Sequence, residues 1–291
     1  MRYHGTVIRP PSEAESYLLQ ITYGCSHNRC TFCGTYGDKP FQVRPIDEVL
    51  EDVAVASRRM PDVRRVFLCD GNALVLDMDR LTVVLDALNS AFPLLRRISI
   101  YANARDLLAK SESDLAVLRE KGLELVYLGL ESGSDEVLRR VDKGSTAAEM
   151  VSGVVRAKEA GMRVSVIALL GLGGTELSDQ HADRTAKVVN AMDPQYLSML
   201  TLMLVPGTPL HRQWQAGEFE LPEPEALLGE LRRVIAGTNG LSRCVFRTNH
   251  ASNYVPLAGT LSRDKERLLG VLDNALGRGR DAFRPESWRA L

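Results

Sequence analysis

Six short apolar runs alternate with amphipathic segments over the first two thirds of the chain. The runs cover residues 17–23, 64–70, 96–102, 123–130, 163–170 and 196–204. They are almost continuously apolar and rich in β-branched residues, which is typical of parallel strands that are buried on both faces. Six β-α units in succession predict an α/β fold: a partial (β/α)6, TIM-like barrel of parallel strands.

Helical patterns fill the segments between the predicted strands. Apolar residues recur at helical spacing in 44–60, and further helices are predicted over 77–91, 111–121 and 176–191. Thr146 and Glu149 have the spacing of a capping box at the start of another helix, and Gly161 stands where a C-terminal cap is expected.

The alternation of strands and helices ends near residue 212. The sequence is therefore divided into a lead-in, a barrel and an extension, over residues 1–16, 17–212 and 213–291. Two helices are predicted in the extension, over 222–237 and 262–276, with a polar connection between them. We expect this mainly helical extension to cover a substrate at the barrel rather than to form a separate domain.

The composition is typical of a globular protein, with 45% hydrophobic and 25% charged residues. The net charge of −1 provides no basic field, so neither nucleic acid nor a membrane surface is an expected partner. No apolar run approaches the roughly 20 residues that span a bilayer, and the N-terminal residues lack an apolar signal core. These features predict a cytoplasmic protein.

Three of the five cysteines lie in one loop directly after the first predicted strand. Cys25, Cys30 and Cys33 have the spacing C-x4-C-x2-C. A disulfide needs a pair of cysteines and a structural zinc site usually needs four ligands, whereas three thiolates leave one coordination position open. The residues allow two interpretations: a metal or cluster with an open position, or a Cys3His zinc site that includes His27.

Three other predicted strands end in short polar, glycine-containing stretches. These stretches are CDGNAL over 69–74, GLESGS over 129–134 and GLGG over 171–174. Glycine allows a ligand to approach the backbone closely, and a carboxylate such as that of Glu131 can accept hydrogen bonds from a ribose diol or an ammonium group. Taken alone, Glu131 could simply begin a helix, so the order of the four stretches carries the interpretation.

In these residues the chain resembles the radical S-adenosylmethionine (SAM) enzymes, over roughly residues 15–210. It is particularly similar to the branch that contains oxygen-independent coproporphyrinogen oxidase and the methylthiotransferases. The first gap in the cysteine motif is one residue longer than the commonest family spacing, C-x3-C-x2-C.

The resemblance implies that Cys25, Cys30 and Cys33 are the catalytic ligands of one [4Fe-4S] cluster, whose fourth iron binds SAM. It further implies reductive cleavage of SAM to a 5′-deoxyadenosyl radical that abstracts hydrogen from a small or medium-sized substrate. An electron donor such as flavodoxin or ferredoxin is the implied partner. The alternative function is that of a non-catalytic metal protein, with a zinc site or an iron–sulfur cluster carried for a partner.

The resemblance also implies a set of SAM-binding residues: Phe32, Asp70, Gly71, Asn72, Glu131, Ser132, Arg156 and Gly171. Phe32 would lie near the adenine, the stretch 70–72 would receive the amino group, and Glu131 and Ser132 would contact the methionine or ribose part. The segment around Gly171 would border the adenine. Arg156 could pair with the SAM carboxylate or be a solvated helix charge.

Candidate substrate contacts are Cys69, Asn249, His250 and Asn253. A thiol at Cys69 could donate a hydrogen atom, although buried cysteines are usually small core hydrophobes. The polar loop that carries the other three could equally be a solvated turn. Apart from the loop cysteines, only Cys69 and Cys244 remain, which are too few to ligate a second cluster.

Overall fold

The computed structural model describes residues 2–37 and 39–290, and in this part of the chain strands and helices alternate. The strands are β1 Tyr17–Gln20, β2 Thr22–Tyr23, β3 Gln42–Val43, β4 Arg65–Cys69, β5 Arg97–Ala102, β6 Leu123–Glu131, β7 Arg163–Leu170, β8 Tyr196–Thr201, β9 Val245–Arg247 and β10 Ala258–Thr260. The α-helices are α1 Ile46–Arg59, α2 Met78–Ala91, α3 Ala104–Leu108, α4 Glu112–Glu120, α5 Asp135–Arg140, α6 Ala147–Glu159, α7 Gly174–Met192, α8 Pro209–Gln215, α9 Pro224–Gly237 and α10 Leu261–Arg278. Short 3-10 helices cover Pro11–Glu13, Ala73–Val75, Gly279–Ala282 and Glu286–Trp288.

Backbone hydrogen bonds order eight of the strands as β1-β4-β5-β6-β7-β8-β9-β10. The pairs β1–β4, β4–β5, β5–β6, β7–β8 and β8–β9 are parallel, and β10 pairs antiparallel with β9. The first six strands of this order follow chain order with helices between them. The predicted α/β class with consecutive parallel strands is therefore confirmed.

One compact unit comprises Met1–Asn28, Thr35–Leu128 and Ser152–Val164. Phe67 on β4 lies in its core and makes edge-to-face contacts with Tyr101 and Tyr127, with ring centroids 4.8 Å and 5.7 Å away. These aromatic residues and the aliphatic residues of β4 and β5 explain why the strand sequences are almost continuously apolar.

A second compact unit comprises Arg29–Gly34, Gly129–Val151 and Ser165–Leu291. Its buried residues include an apolar cluster of Val137, Val141, Leu172, Leu202 and Leu210. The helices α7 and α9 also belong to this unit and contribute buried leucine, valine and alanine side chains.

The helix signals in the sequence are confirmed by local hydrogen bonds. The Thr146 amide donates to Glu149 Oε2 at 2.7 Å, and the Glu149 amide donates to Thr146 Oγ1 at 3.2 Å, as a capping box requires. Gly161 follows α6 with a φ of +81°, a conformation that glycine adopts at little cost.

The strands β9 and β10 are missing from the sequence-based prediction, which gave the extension helices only. Each is three residues long, too short for a periodicity to be recognised. The first and last predicted strands are also shorter than expected, since β1 ends at Gln20 and β8 ends at Thr201. That residues 213–291 cover a substrate stays a prediction.

Among the described residues, no helix is long and apolar enough to cross a membrane.

Candidate functional site

The first turn of the cysteine loop rests on the stretch that follows β4. Asn72 is buried, and its Oδ1 accepts a hydrogen bond from the Ser26 amide at 3.0 Å and lies 3.5 Å from Cys25 Sγ. Its Nδ2 donates to Ser26 Oγ at 2.9 Å and to Asp106 Oδ2 at 3.0 Å. Both amide hydrogens are thus used, and Asp106 fixes the orientation of the amide that holds the loop.

Gly71 brings two backbone segments into contact beside this clamp. A Cβ at residue 71 would lie 2.2 Å from Gly24 O and 2.6 Å from Cys25 Cα, and the φ of Gly71 is +38°. The Gly71 amide donates to the Tyr36 hydroxyl at 3.0 Å. Only glycine allows this approach, so the position of the first cysteine depends on residue 71.

Asp70 forms a buried ion pair on the same strand end. Its Oδ2 accepts from Lys39 Nζ at 2.9 Å and from Gln20 Nε2 at 2.8 Å. Lys39 Nζ also donates to the Thr6 carbonyl at 2.8 Å. Within the described part of the chain, Asp70 Oδ1 is buried without a hydrogen-bond partner, which leaves one acceptor of this carboxylate available.

The second half of the cysteine loop forms a turn in the second unit. The Cys33 amide donates to the Cys30 carbonyl at 3.1 Å. Between them, the Thr31 amide donates to the Val141 carbonyl at 3.0 Å, and the Thr31 carbonyl accepts from the Leu210 amide at 2.9 Å. Phe32 packs against the apolar cluster that contains Leu172, the residue after Gly171.

The three loop thiols are partly exposed, in contrast to the buried Cys69 and Cys244. Over residues 2–37 and 39–290, no group of three or more His, Cys, Asp or Glu side chains is arranged to hold a metal ion. Ligation by Cys25, Cys30 and Cys33 therefore stays a prediction. Accessible thiols in a loop that hydrogen bonds hold in place are nevertheless the donor chemistry that an iron–sulfur cluster requires, so these residues fit such a group.

Glu131 ends β6 with a φ of +61°, which turns the chain sharply. Its Oε1 accepts from Lys143 Nζ at 2.9 Å. A Cβ at Gly129 would lie 2.1 Å from the same oxygen, so the carboxylate folds back over the glycine backbone. The sequence order G-L-E is explained by this contact, and Lys143 is a partner that the sequence analysis missed.

Ser132, the next residue, is completely buried and belongs to a polar chain. Its Oγ lies 2.7 Å from His181 Nδ1 and accepts from the Ser134 amide at 3.0 Å. Because these partners occupy the hydroxyl, the structure gives no support to a direct contact between this hydroxyl and SAM.

Glu230 continues the polar chain to the turn after β7. Its Oε1 accepts from the Gly171 amide at 2.7 Å and lies 3.4 Å from His181 Nε2, and its Oε2 accepts from Ser178 Oγ at 2.6 Å. Burial raises the pKa of Glu230 to about 7 and lowers the pKa of His181 to about 4. Burial thus favours the neutral form of both groups.

Gly171 itself has a φ of +82°, and a Cβ there would lie 2.7 Å from Leu227 Cδ2. The predicted residue thus lies in a tight turn. His181 and Glu230, which stabilise the turns after β6 and β7, were not found from the sequence.

Arg156, for which the sequence left open a SAM contact or a solvated helix charge, binds backbone carbonyls in the structure. Its Nη1 donates to the Leu108 carbonyl at 3.0 Å and its Nη2 to the Lys110 carbonyl at 2.7 Å. The guanidinium thus binds carbonyls at and just beyond the C-terminal end of α3, where a cation is favourable. This contact gives no support to pairing with the SAM carboxylate, which stays a prediction.

The candidate substrate residues differ in accessibility. Cys69 is fully buried, and burial raises the pKa of its thiol, so it remains protonated. Asn253 is also buried. Its Oδ1 accepts from Thr201 Oγ1 and its Nδ2 donates to the Met199 carbonyl, both on β8 and both at 2.9 Å. His250 Nδ1 pairs with Ser252 Oγ at 2.9 Å, whereas Asn249 is exposed. Among these four candidates, Asn249 offers the side chain that is most accessible to another molecule.

The fold and the cysteine loop together define a class of α/β proteins with a three-cysteine loop after the first parallel strand. The chain belongs to the Radical SAM superfamily, whose profile matches residues 19–188, more than half of the chain. The enzymes of this family use a [4Fe-4S] cluster and SAM, and the family resemblance found in the sequence is thereby confirmed.

Individual relatives are distant. The chain is 24% identical over 221 residues to the heme chaperone HemW of Bacillus subtilis, which covers 72% of this chain and 56% of that protein. The chain thus spans about half the length of this curated relative.

Solved structures support the fold. Coproporphyrinogen III oxidase (HemN) from Escherichia coli matches with a TM-score of 0.58 and 20% identity, over 76% of this chain and 51% of that chain. Methylornithine synthase (PylB) matches with a TM-score of 0.52 and 16% identity, over 92% of this chain and 85% of that chain. At these identities the likeness concerns the fold alone.

Proposed function

We propose that this chain is a radical SAM enzyme that acts on a small or medium-sized substrate. Cys25, Cys30 and Cys33 hold the cluster, and SAM binds beside it. When bound, the [4Fe-4S] cluster and SAM provide one-electron cleavage of a carbon–sulfur bond, which yields a 5′-deoxyadenosyl radical for hydrogen abstraction. A reductant such as flavodoxin or ferredoxin supplies the electron.

The observation that carries this proposal is the contact between the cysteine loop and the stretch after β4. Asn72 holds the Ser26 amide at 3.0 Å, and Gly71 lies directly against Gly24 and Cys25. The residues that the family resemblance assigns to SAM binding therefore also fix the first thiol. A ligand bound at this strand end would lie beside the cluster, as the reaction requires.

The charged groups of the strand ends suit the polar parts of SAM. Asp70 has a buried acceptor oxygen that no described residue uses, which supports its assignment to the amino group. Glu131 is oriented by Lys143, so its second oxygen, Oε2, can accept a hydrogen bond from a ligand. Phe32, in contact with an apolar cluster, supports a role beside the adenine.

The test is anaerobic. The protein is reconstituted with iron and sulfide, reduced with dithionite and supplied with SAM alone, and 5′-deoxyadenosine is quantified. We expect about four irons per chain and slow product formation in the wild type. Cys30→Ala should lose both iron and product, whereas Cys244→Ala, which removes a thiol outside the loop, should retain both.

Other outcomes would decide between the alternatives. Bound zinc with no iron and no product would refute the proposal in favour of a zinc site. A cluster whose electron paramagnetic resonance spectrum does not change when SAM is added would indicate an iron–sulfur carrier. Methylthioadenosine in place of 5′-deoxyadenosine would show that a different carbon–sulfur bond is cleaved.

A further inference from the structure

A buried chain of polar side chains connects the turn after β6 with the turn after β7. It consists of Ser132 directly after β6, His181 on α7 and Glu230 on α9. All three are at least 97% buried. The family profile and the proposed cluster site do not account for these contacts.

The helix α7 fixes the turn after β6 at two positions. His181 Nδ1 lies 2.7 Å from Ser132 Oγ, and Thr185 Oγ1, one helical turn further on, accepts from the Gly133 amide at 3.0 Å. A Cβ at Gly133 would lie 2.3 Å from the Arg184 carbonyl, so the turn lies directly against the helix backbone. The residues that follow Glu131 therefore cannot move independently of α7.

The turn after β7 depends on Glu230. Its carboxyl group accepts from the Gly171 amide at 2.7 Å and from Ser178 Oγ at 2.6 Å, and one oxygen is 3.4 Å from His181 Nε2. Since Ser178 and His181 share α7, this helix is linked to both turns. Glu230 is the one side chain among these that reaches the Gly171 backbone.

Stability alone is a poor reason for such a chain. Burial of a carboxyl and an imidazole costs free energy, and apolar side chains of similar volume often stabilise a core better. The hydrogen bonds that this chain makes to the turns, His181 to Ser132 and Glu230 to the Gly171 amide, do, however, specify one conformation among several compact ones, whereas His181 Nε2 has no hydrogen-bond partner among the described residues. We therefore infer that the polar chain serves to fix the conformation of the two turns.

We propose that His181 and Glu230 are positioning residues that hold the turns 131–134 and 171–174 in the conformation that binds SAM. This inference rests on the proposed function and on the family resemblance, which implies that Glu131 and the segment around Gly171 border SAM. It assigns no contact with SAM to either residue. Loss of their hydrogen bonds should weaken SAM binding through the turns and leave cluster assembly unchanged.

The first test uses the protein without cluster or SAM. Hydrogen–deuterium exchange of peptides covering the two turns is compared for wild type, Glu230→Ala and Glu230→Gln. Glu230→Ala should speed exchange in both turns, whereas the glutamine can still accept from the Gly171 amide and should exchange nearly as the wild type does. Glu225→Ala, at a partly exposed position of the same helix, serves as the matched control.

The second test measures SAM itself. For reconstituted protein without reductant, Glu230→Ala should raise the Kd for SAM about tenfold, the effect of one net hydrogen bond, at unchanged iron content. In the reduced assay the KM for SAM should rise in the same proportion with a smaller change in kcat, and Glu230→Gln should restore both. If Glu230→Ala does not fold, His181→Asn, which retains a polar group near Ser132, replaces it.

Two results would overturn this inference. Faster exchange at both turns with an unchanged Kd for SAM would mean that the polar chain is structural only. An equal loss of SAM affinity in Glu230→Gln and Glu230→Ala would mean that the hydrogen-bond geometry is not what matters. A wild type that assembles the cluster but binds no SAM would instead refute the proposed function, and the exchange data would still report on the turns.

Discussion

The buried Glu230–His181 pair predicts an unusual dependence of folding stability on pH. Burial is the main cause of both pKa shifts: it raises the pKa of Glu230 from 4.5 to about 7 and lowers the pKa of His181 from 6.5 to about 4. The charge of Asp179 adds to the first shift, while hydrogen bonds from Ser178 and Gly171 oppose it. The Leu169 carbonyl opposes the second.

The two shifts act in opposite directions on stability. Glu230 has a raised pKa in the folded state, so its contribution is present below about pH 4.5 and is lost as the pH rises to about 7. His181 has a lowered pKa, so its contribution is present above about pH 6.5 and is lost as the pH falls to about 4. Between pH 4.5 and 6.5, folded and unfolded chains each carry one proton on this pair, and the two slopes cancel.

Single substitutions should remove the cancellation. In Glu230→Gln only His181 remains, and the free energy of unfolding should rise with pH relative to the wild type, by about 1.4 kcal/mol per pH unit. In His181→Asn only Glu230 remains, and the free energy of unfolding should fall with pH by the same amount relative to the wild type. Between pH 4.5 and 6.5 each single substitution should change the free energy of unfolding by about 3 kcal/mol relative to the wild type. In the double variant this free energy should again depend on pH as it does in the wild type.

The assay is urea denaturation of the cluster-free protein, with thiols reduced, followed by far-ultraviolet circular dichroism between pH 4.5 and 7. Taking the difference in free energy of unfolding between variant and wild type removes the contribution of the other titrating groups. Equal m-values confirm that the same amount of surface is exposed on unfolding. Parallel curves for all four proteins would refute the reasoning, because the pair would then not titrate differently in the folded state. If the free energy of unfolding of Glu230→Gln fell with pH relative to the wild type, the predicted direction of the His181 pKa shift would be wrong.

Three further substitutions test the site. Gly71→Ala should destabilise the protein by about 2–3 kcal/mol in the same denaturation assay, since the added Cβ meets backbone atoms and φ is positive. Gly37→Ala, whose added Cβ has no contact within 4 Å among the described residues, should change the stability little. Asn72→Ala should cost about 2 kcal/mol and lower the iron content after reconstitution, because a buried carboxylate and a loop amide lose their partner. Arg156→Met should cost about 1–2 kcal/mol through two lost hydrogen bonds and leave the Kd for SAM unchanged. A tenfold rise in that Kd would instead support its pairing with the SAM carboxylate.

The six predicted strands could be recognised because most of their residues are buried and they read as nearly continuous apolar runs, even β8, in which partly buried and buried positions alternate. The run at 64–70 corresponds to β4, whose Phe67 and Leu68 are completely buried. β9 gave no such signal, since its three residues alternate between partly buried, buried and exposed positions. Its pairing with β8 is a tertiary contact that local periodicity does not contain.

The candidate site was predictable in position but not in its hydrogen bonds. Residues 70–72 follow β4, Glu131 ends β6 and Ser132 follows it, so their location at strand ends follows from the periodicity. That Asp70 pairs with Lys39, and Glu131 with Lys143, depends on which segments the fold brings together. A cation in a loop gives no sequence signal of its partner, because exposed lysines are common everywhere.

Glu230 left a signal that could have been recognised. It lies three residues after Leu227 and four before Val234, so helical spacing places it on the apolar face of α9. A carboxylate on such a face needs a buried partner. The sequence could therefore have shown that a partner exists, although not that the partner is His181.

The gap between the first two cysteines contains a tight turn at Asn28. Asn28 adopts a φ of +43°, a left-handed conformation that asparagine tolerates better than most residues. Its Nδ2 donates to the Tyr36 carbonyl at 2.8 Å, and the Tyr36 hydroxyl accepts from the Gly71 amide at 3.0 Å. Tyr36 therefore connects the turn at Asn28 to the stretch after β4 that fixes Cys25.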